Sequence, residues 1–299
     1  MKNLKYYFEK AKKEKFAIGQ FNFSTFEQVK GIVQAAKNLN SPVILGTSEG
    51  ESKFVGLPEA VAMRNVLRKK YNVPVFLNLD HGKSFEAVKE AIDAGYDMVC
   101  FDGSKLPLED LPAMPAHAGQ AGNIKISKKV VSYAKWRGVL VEGEVGRFGT
   151  DASKIYQEEF KITEEFLTKP EEAKIYFAKT KVDVLAISIG NFHGMNVMGS
   201  VPRLDLVRFE EISNLLNIPF VLHGGSGTLD TDIRSAINFG VVKININTEI
   251  RLAFTNSLKK QLETNPDEIT PYKYLQEPIN EVQKIIEEKI KLFGSENKI

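Results

Sequence analysis

Short apolar runs alternate with longer stretches of mixed polarity along the whole chain. The runs at Phe16–Phe21, Pro42–Gly46, Pro74–Leu79, Met98–Asp102, Gly138–Val145, Val182–Ile189, Ile218–Leu222 and Val241–Ile246 have the length and near-continuous apolarity of buried strands. Between them, Thr25–Leu39, Pro58–Tyr71 and Ser84–Ala94 repeat apolar residues at helical spacing. Eight units of strand then helix predict a parallel sheet covered by helices. That count predicts an α/β fold of the closed (β/α)8, TIM-barrel type, with a doubly wound sheet as the alternative. No linker or composition shift divides the 299 residues, so one domain over 1–299 is expected.

Two segments break the rhythm. Leu111–Asn123 is rich in Pro, Ala and Gly, has no period, and is expected to be a surface excursion. Gly146–Pro170 is long and polar and follows the fifth strand, a place where barrels often carry a lid. In the C-terminal tail, 277–299, Pro278–Phe293 reads as an amphipathic helix with Val282, Ile285, Ile286 and Ile290 on one stripe. It is expected to dock on its own barrel or on a neighbouring subunit. Glu287, Glu288 and Lys289 read as its solvated face.

Composition narrows the picture by exclusion. A formal net charge of +2 gives no reason to expect a nucleic-acid or anionic-membrane partner. No apolar run approaches the ~18 residues of a membrane span. Met1–Lys15 alternates lysines with aromatics and lacks the apolar centre of a signal peptide. The single cysteine, Cys100, cannot form an internal disulfide, which suits a reducing cytoplasm.

Parallel barrels place their active sites at the C-terminal ends of the strands. Here three of the four histidines end strands, and each is followed by glycine: Asp80-His81-Gly82, Phe192-His193-Gly194 and Leu222-His223-Gly224. The fourth, His117, lies in the aperiodic segment. A lone loop histidine usually just hydrogen-bonds to backbone. Three at one rim suit Zn2+, because three protein ligands and an open position define a catalytic zinc site. Strand period places Glu142 with Glu144 on one face, and Lys243, Asn245 and Asn247 on another, both pointing inward. A buried carboxylate needs a cation, so a metal or Lys243 is the expected partner. Asp80, beside His81, is placed to exchange a proton, although it could also cap the next helix. Gly224–Gly227 and the helix beginning after Asn247 and Thr248 can together cradle a phosphate, and Asn247 and Thr248 could equally be plain caps.

At these motifs the sequence resembles the class II, metal-dependent ketose-bisphosphate aldolases, with the fructose-1,6-bisphosphate enzymes as the best match. The matching stretches are Leu79-Asp-His-Gly, Asp102-Gly-Ser, Glu142-Gly-Glu144-Val-Gly, Ile189-Gly-Asn-Phe-His193-Gly, Leu222-His-Gly-Gly-Ser-Gly and Lys243-Ile-Asn-Ile-Asn-Thr-Glu. The resemblance implies that His81, His193 and His223 hold a catalytic Zn2+, and that Asp102 and Glu144 match a second, more peripheral divalent site. It leaves a monovalent cation open. It implies that Asp80 protonates the aldehyde oxygen of the triose. Gly194, Gly224, Ser226, Asn245 and Thr248 match residues around the dihydroxyacetone-phosphate end, and Asn22 and Ser48 match polar residues of the same site. Asn247 bears on fructose against tagatose stereochemistry. Arg251 matches an arginine that in relatives reaches the distal phosphate from a neighbouring subunit, which implies a homodimer or homotetramer. The loop after the fifth strand carries an acidic base in the family, and here Glu158 or Glu159 is the candidate, with Asp151 competing. Leu111–Asn123 resembles an insertion.

Two other functions fit the same residues. Lys243 could form a Schiff base with a ketone without any metal. The barrel could also bind a phosphosugar without catalysis.

Overall fold

Eight parallel strands close on themselves in the computed structural model, which describes residues 2–103, 118–146, 155–156, 162–196 and 203–299. They are β1 (Ile18–Asn22), β2 (Val43–Ser48), β3 (Val75–Gly82), β4 (Met98–Phe101), β5 (Leu140–Val145), β6 (Val184–Ile187), β7 (Phe220–Leu222) and β8 (Val241–Ile246). Their order around the barrel is their order along the chain, and β1 pairs with β8 from Ile18 opposite Lys243 to Phe21 opposite Ile246. That last pairing closes the ring, so the barrel holds and the doubly wound sheet does not.

The period of two along each strand sorts the barrel into two populations. Val43, Leu45, Val75, Leu77, Val99, Val141, Leu185, Leu222 and Ile244 belong to the outer core under the helices. The alternate positions Ile18, Ile44, Phe76, Met98, Leu140, Val184 and Val221 form a separate apolar cluster. Two residues further along the same faces, the chemistry changes. Gln20 and then Asn22 follow Ile18, Asn78 and then Asp80 follow Phe76, and Glu142 and then Glu144 follow Leu140, all of them buried. The interior is therefore apolar at the N-terminal ends of the strands and polar at the C-terminal ends.

The apolar end is shut by α1 (Leu4–Glu14), whose Leu4, Tyr7, Phe8 and Ala11 join the lower cluster. Their spacing of i, i+3, i+4, i+7 is the stripe of an amphipathic helix, and Asn3 caps it by accepting from Tyr6 N–H. The covering helices are α2 (Phe26–Asn38), α3 (Glu49–Val55), α4 (Leu57–Tyr71), α5 (Phe85–Ala94), α6 (Ala118–Lys135), α7 (Pro170–Thr180), α8 (Leu206–Leu215), α9 (Asp230–Asn238), α10 (Thr248–Thr264), α11 (Pro271–Tyr274) and α12 (Gln276–Leu292). Thr25 and Gln28 form a capping box at the start of α2, and Ser84 caps α5.

Two expectations meet corrections here. Of the aperiodic Leu111–Asn123, residues 111–117 lie outside the described residues, His117 among them, but 118–123 open α6. Asn123 is buried and donates to the Glu144 carbonyl at 2.8 Å, a tertiary contact that overrides the glycine-rich local composition. Second, Lys289 is not a solvated lysine: it reaches Glu249 at 2.7 Å, with its side chain only 13% exposed. As expected, α12 docks on its own barrel. Ile279, Val282, Ile286 and Ile290 are buried, and a Cβ added at Gly31 of α2 would sit 2.8 Å from the Ile279 carbonyl oxygen, so the two helices meet nearly backbone to backbone. Of the expected lid, 147–154 and 157–161 lie outside the described residues, while Ile155–Tyr156 pairs in parallel with Met195–Asn196. Among the described residues no helix is long and apolar enough to cross a membrane.

Candidate active site

Three histidines meet at the polar mouth of the barrel: His81 ends β3, His223 directly follows β7, and His193 lies in the loop after β6, six residues beyond the strand end expected to carry it. His81 Nε2 lies 3.2 Å from His193 Nε2 and 2.9 Å from His223 Nδ1. One proton can satisfy one such pair of nitrogens, and the third then faces a lone pair. A cation at the centre satisfies all three. Zinc–nitrogen bonds of about 2.0–2.1 Å in a tetrahedron put ligand nitrogens roughly 3.3 Å apart, close to the spacings seen. The donor set therefore fits a metal ion. His81 holds its place in the left-handed region, φ 54°, an uncommon conformation for a side chain-bearing residue that favours a functional constraint. Gly224 after His223 has φ 62°, and a Cβ there would fall 2.0 Å from the Phe192 carbonyl oxygen, so only glycine lets these two loops approach. Asn191 ties the same loops by donating to the His223 carbonyl at 3.0 Å.

Carboxylates stand behind His223 and His81, as they do in many metal sites. Glu142 takes His223 Nε2 on one oxygen at 2.5 Å and Lys243 Nζ on the other at 2.6 Å, and all three side chains are fully buried. Burial alone would raise the Glu142 carboxyl, but Lys243 and His223 outweigh it and hold the pKa down to about 2. Lys243 thus has the ion-pair partner expected of it. As a buried, paired ammonium it is poorly placed to attack a ketone, which counts against the Schiff-base route. Behind His81, the Nδ1 atom lies 3.1 Å from Glu144 and 3.4 Å from Asp102. Burial, and then the neighbouring Asp102, push the Glu144 carboxyl upward, so this pair of acids gains from any added positive charge. Cys100 Sγ sits 4.0 Å from Glu144 in the same layer.

Asp80 is held from both sides. Asn22 Nδ2 donates to its Oδ2 and Asn245 Nδ2 to its Oδ1, each at 3.0 Å. Burial opposes ionisation, but His81, His223, Lys243 and the Asn22 hydrogen bond outweigh it and hold the carboxyl well below the usual carboxylate range. Asp80 does not cap α5. Ser84 does that, accepting from Ala87 N–H.

The glycine-rich turn after β7 is locked to the start of α10. Ser226 Oγ accepts from the backbone N–H groups of Asn247 at 3.3 Å and Glu249 at 3.5 Å, and Gly227 N–H donates to Glu249. The Asn247 side chain makes no cap hydrogen bond. Its Oδ1 and that of Asn245 are buried acceptors without a hydrogen-bond partner. Thr248 is buried at the helix start, and Gly194 has φ 95°. Ser48 is the N-cap of α3, in a capping box with Glu51. Arg251 donates to Glu51 of its own chain at 2.7 Å.

Glu158, Glu159 and Asp151 lie outside the described residues. Sequence reasoning missed Gln20, Asn78 and Glu51. Gln20 and Asn78, each two residues before Asn22 and Asp80 on the same strand face, were readable by period, and they hydrogen-bond to each other at 2.7 Å. Glu51 carried no such signal, because its capping role in α3 accounts for it locally.

Comparisons with known proteins add the family and the fold it shares. The chain is 36% identical over 291 residues to a fructose-bisphosphate aldolase of Staphylococcus epidermidis, covering 96% of this chain and 95% of that protein. It is equally similar to one from Staphylococcus aureus, at 36% over the same length. Among solved structures, the YdjI aldolase from Escherichia coli K12 superposes with a TM-score of 0.79 at 29% identity, covering 99% of this chain and 98% of that one. A fructose-bisphosphate aldolase from Campylobacter jejuni, 24% identical, shares the fold with a TM-score of 0.79, covering 99% and 95%. The profile of the family described as "Fructose-bisphosphate aldolase class-II" matches residues 2–298, and the chain belongs to that metal-dependent family.

Proposed function

We propose that the chain catalyses the reversible aldol cleavage of fructose-1,6-bisphosphate to dihydroxyacetone phosphate and glyceraldehyde 3-phosphate, using Zn2+ at His81, His193 and His223. The observation that carries this proposal is the meeting of three imidazole nitrogens at the polar mouth of the barrel, in a chain of this family. Zn2+ bound there supplies Lewis-acid stabilisation of the charge left beside a carbonyl when a carbon–carbon bond breaks. The chain's own residues do the rest. Glu142 and Glu144 fix the ring orientations of His223 and His81. Asp80, steadied by Asn22 and Asn245, exchanges a proton with the aldehyde oxygen. The unpaired acceptors of Asn245 and Asn247 face donors that sugar hydroxyls would provide. The Gly224–Thr228 turn, Ser226 and the N-terminus of α10 hold the phosphate of the dihydroxyacetone end. Arg251 takes the distal phosphate. Glu158 or Glu159 exchanges the proton at the reacting carbon, and Asp102 with Glu144 offers a second cation site. The same reading carries an assembly of two or four chains.

The test is metal analysis of the purified protein together with cleavage rates on fructose- and tagatose-1,6-bisphosphate, followed by a coupled triose-phosphate assay. One zinc per chain and chelator-sensitive cleavage of the fructose sugar support the proposal. Faster cleavage of the tagatose sugar moves the substrate assignment. Metal-independent cleavage that borohydride traps overturns the zinc route, and triose release from neither sugar overturns the activity.

A further inference from the structure

Asn123 and Ser127 stand about one turn apart on the buried face of α6. Asparagine inside a helix is locally unfavourable, because its amide competes for nearby backbone groups. Here the amide is used elsewhere. Its Nδ2 donates to the Glu144 carbonyl of β5 at 2.8 Å. β4 ends at Phe101, opposite Gly143, so the strand ladder stops just before that carbonyl and a side chain supplies the donor. The other half of the amide is fixed too. Ser127 Oγ donates to Asn123 Oδ1 at 3.1 Å and lies 2.7 Å from the Tyr176 hydroxyl of α7. Ser127 has one hydroxyl proton and Asn123 takes it, so Tyr176 donates to Ser127. Burial pushes the Tyr176 hydroxyl up, which keeps its proton in place at neutral pH. The hydrogen bonds therefore run one way, from Tyr176 through Ser127 and Asn123 to Glu144, and all four residues are buried.

Packing restricts the same groups. A Cβ added at Gly103 would fall 2.5 Å from the Asn123 carboxamide, and one at Gly143 would fall 2.5 Å from the Tyr176 ring. Asn123 is thus wedged between the end of β4, where Asp102 follows, and the end of β5, where Glu144 stands. Those two carboxylates flank His81 Nδ1, at 3.4 and 3.1 Å. The Asp102 backbone N–H donates in turn to the Gly82 carbonyl, next to His81, at 2.9 Å. An amide from a covering helix therefore sets the spacing of the groups behind one imidazole.

We propose that Asn123 is a positioning residue for the metal centre. Through the backbone of β5 it holds Glu144 against His81 Nδ1, and its contact with Gly103 keeps Asp102 on the other side of the ring. Ser127 and Tyr176 keep the amide the right way round. Zn2+ as the ion rests on the functional reading above; the placement of Glu144 does not.

The experiment measures Zn2+ dissociation constants by chelator competition and the visible absorption of the Co2+ form. It compares wild type, Asn123→Leu, Ser127→Ala, Glu144→Gln, the Asn123→Leu/Glu144→Gln double variant and Phe8→Ala. Leucine keeps the volume beside Gly103 and removes the donor. Asn123→Leu should weaken Zn2+ by about tenfold, the low end for a group that orients a ligand from outside. It should also shift the Co2+ bands, which report ligand geometry. Ser127→Ala should act in the same direction by about threefold, the worth of one hydrogen bond. The double variant should fall short of the product of the two single losses, because Asn123 acts through Glu144. Phe8→Ala loosens the far end of the barrel and should leave both readings unchanged. Wild-type affinity and bands in Asn123→Leu, losses that multiply in the double variant, or an equal loss in Phe8→Ala overturn the proposal. Should Asn123→Leu not fold, Ser127→Ala takes its place in every comparison. Should wild type bind neither ion, the metal reading fails and the positioning is judged by urea unfolding of the two single variants and the double. Coupling of about threefold or more in the unfolding equilibrium then supports it, and additive effects overturn it.

Discussion

The two ends of the barrel are built from the same eight strands and buried to a similar degree, yet they hold together for different reasons. At the lower end Ile18, Ile44, Phe76, Met98 and Leu140 meet Tyr7 and Phe8 of α1, and each gains by leaving water whichever apolar neighbour it finds. Four residues higher on the same faces stand Asn22, Ser48, Asp80, Asp102 and Glu144. There, burial is unfavourable unless a specific partner is present. Asp80 has Asn22 and Asn245, Glu142 has Lys243 and His223, and Glu51 has Arg251. The lower end tolerates exchange and confers stability; the upper end is a set of paired obligations that confers chemistry. Removing one upper residue should therefore change function more than its size suggests, and removing one lower residue should change stability alone.

The sharpest break in that comparison is His223→Ala. It removes one of three converging nitrogens and leaves Glu142 facing Lys243 only. Metal content should fall below stoichiometry and turnover should drop by about 10³-fold or more, the scale of several kcal/mol of Lewis-acid stabilisation. Normal zinc content measured by atomic emission in that variant would contradict the ligand assignment. Asp80→Ala comes next. It should keep the metal and the fold and slow turnover by about 10²-fold, as expected for losing a proton donor. Rates near wild type would place the proton exchange on another group.

The period of the sequence explains why so much of this was readable beforehand. Alternation along Gly138–Val145 and Val241–Ile246 already turned Glu142, Glu144, Lys243 and Asn245 inward, because a strand leaves a side chain only two directions. The histidines were readable because each lies at a strand end or in the loop just after it, and a closed barrel brings those ends together. What stayed hidden depends on contacts distant in sequence. Glu51 looks locally complete as a helix-capping residue, and only the closed barrel brings Arg251, 200 positions away, onto it. Lys289 looked solvated until α12 packed beside α10. Residues 118–123 read as loop because their composition favours no element, and the burial of Asn123 against β5 decides their conformation.

Glu142→Gln sharpens the comparison within the middle layer. It should cost about 3–5 kcal/mol in urea unfolding, because Lys243 is left charged and buried without its partner. It should also weaken metal affinity by about 10–100-fold through the freed His223 ring. Adding Lys243→Met should recover most of the stability, since a matched apolar replacement removes the stranded charge. It should recover none of the metal affinity. Recovery of both would mean that Glu142 serves only to neutralise Lys243.

Phe8→Ala probes the lower end, where the smallest effect on activity is expected. The ring is buried in the cluster that α1 closes over the strand starts, beside Tyr7, whose ring lies 5.7 Å from that of Phe76. Truncating a buried phenylalanine costs about 3–5 kcal/mol when the whole domain senses the cavity. A terminal helix that can detach caps that cost at its own docking energy, so the urea midpoint should fall by less than a core truncation in β3 would produce. Metal content and kcat/KM of the folded fraction should stay within about twofold of wild type, since Phe8 packs at the starts of the strands, whereas Asp80 and His81 stand at the end of β3. A larger fall in kcat/KM at full metal content would show that the lower cluster sets the height or tilt of the strands whose other ends carry Asp80 and His81. The two ends would then be one mechanical unit rather than two independent halves.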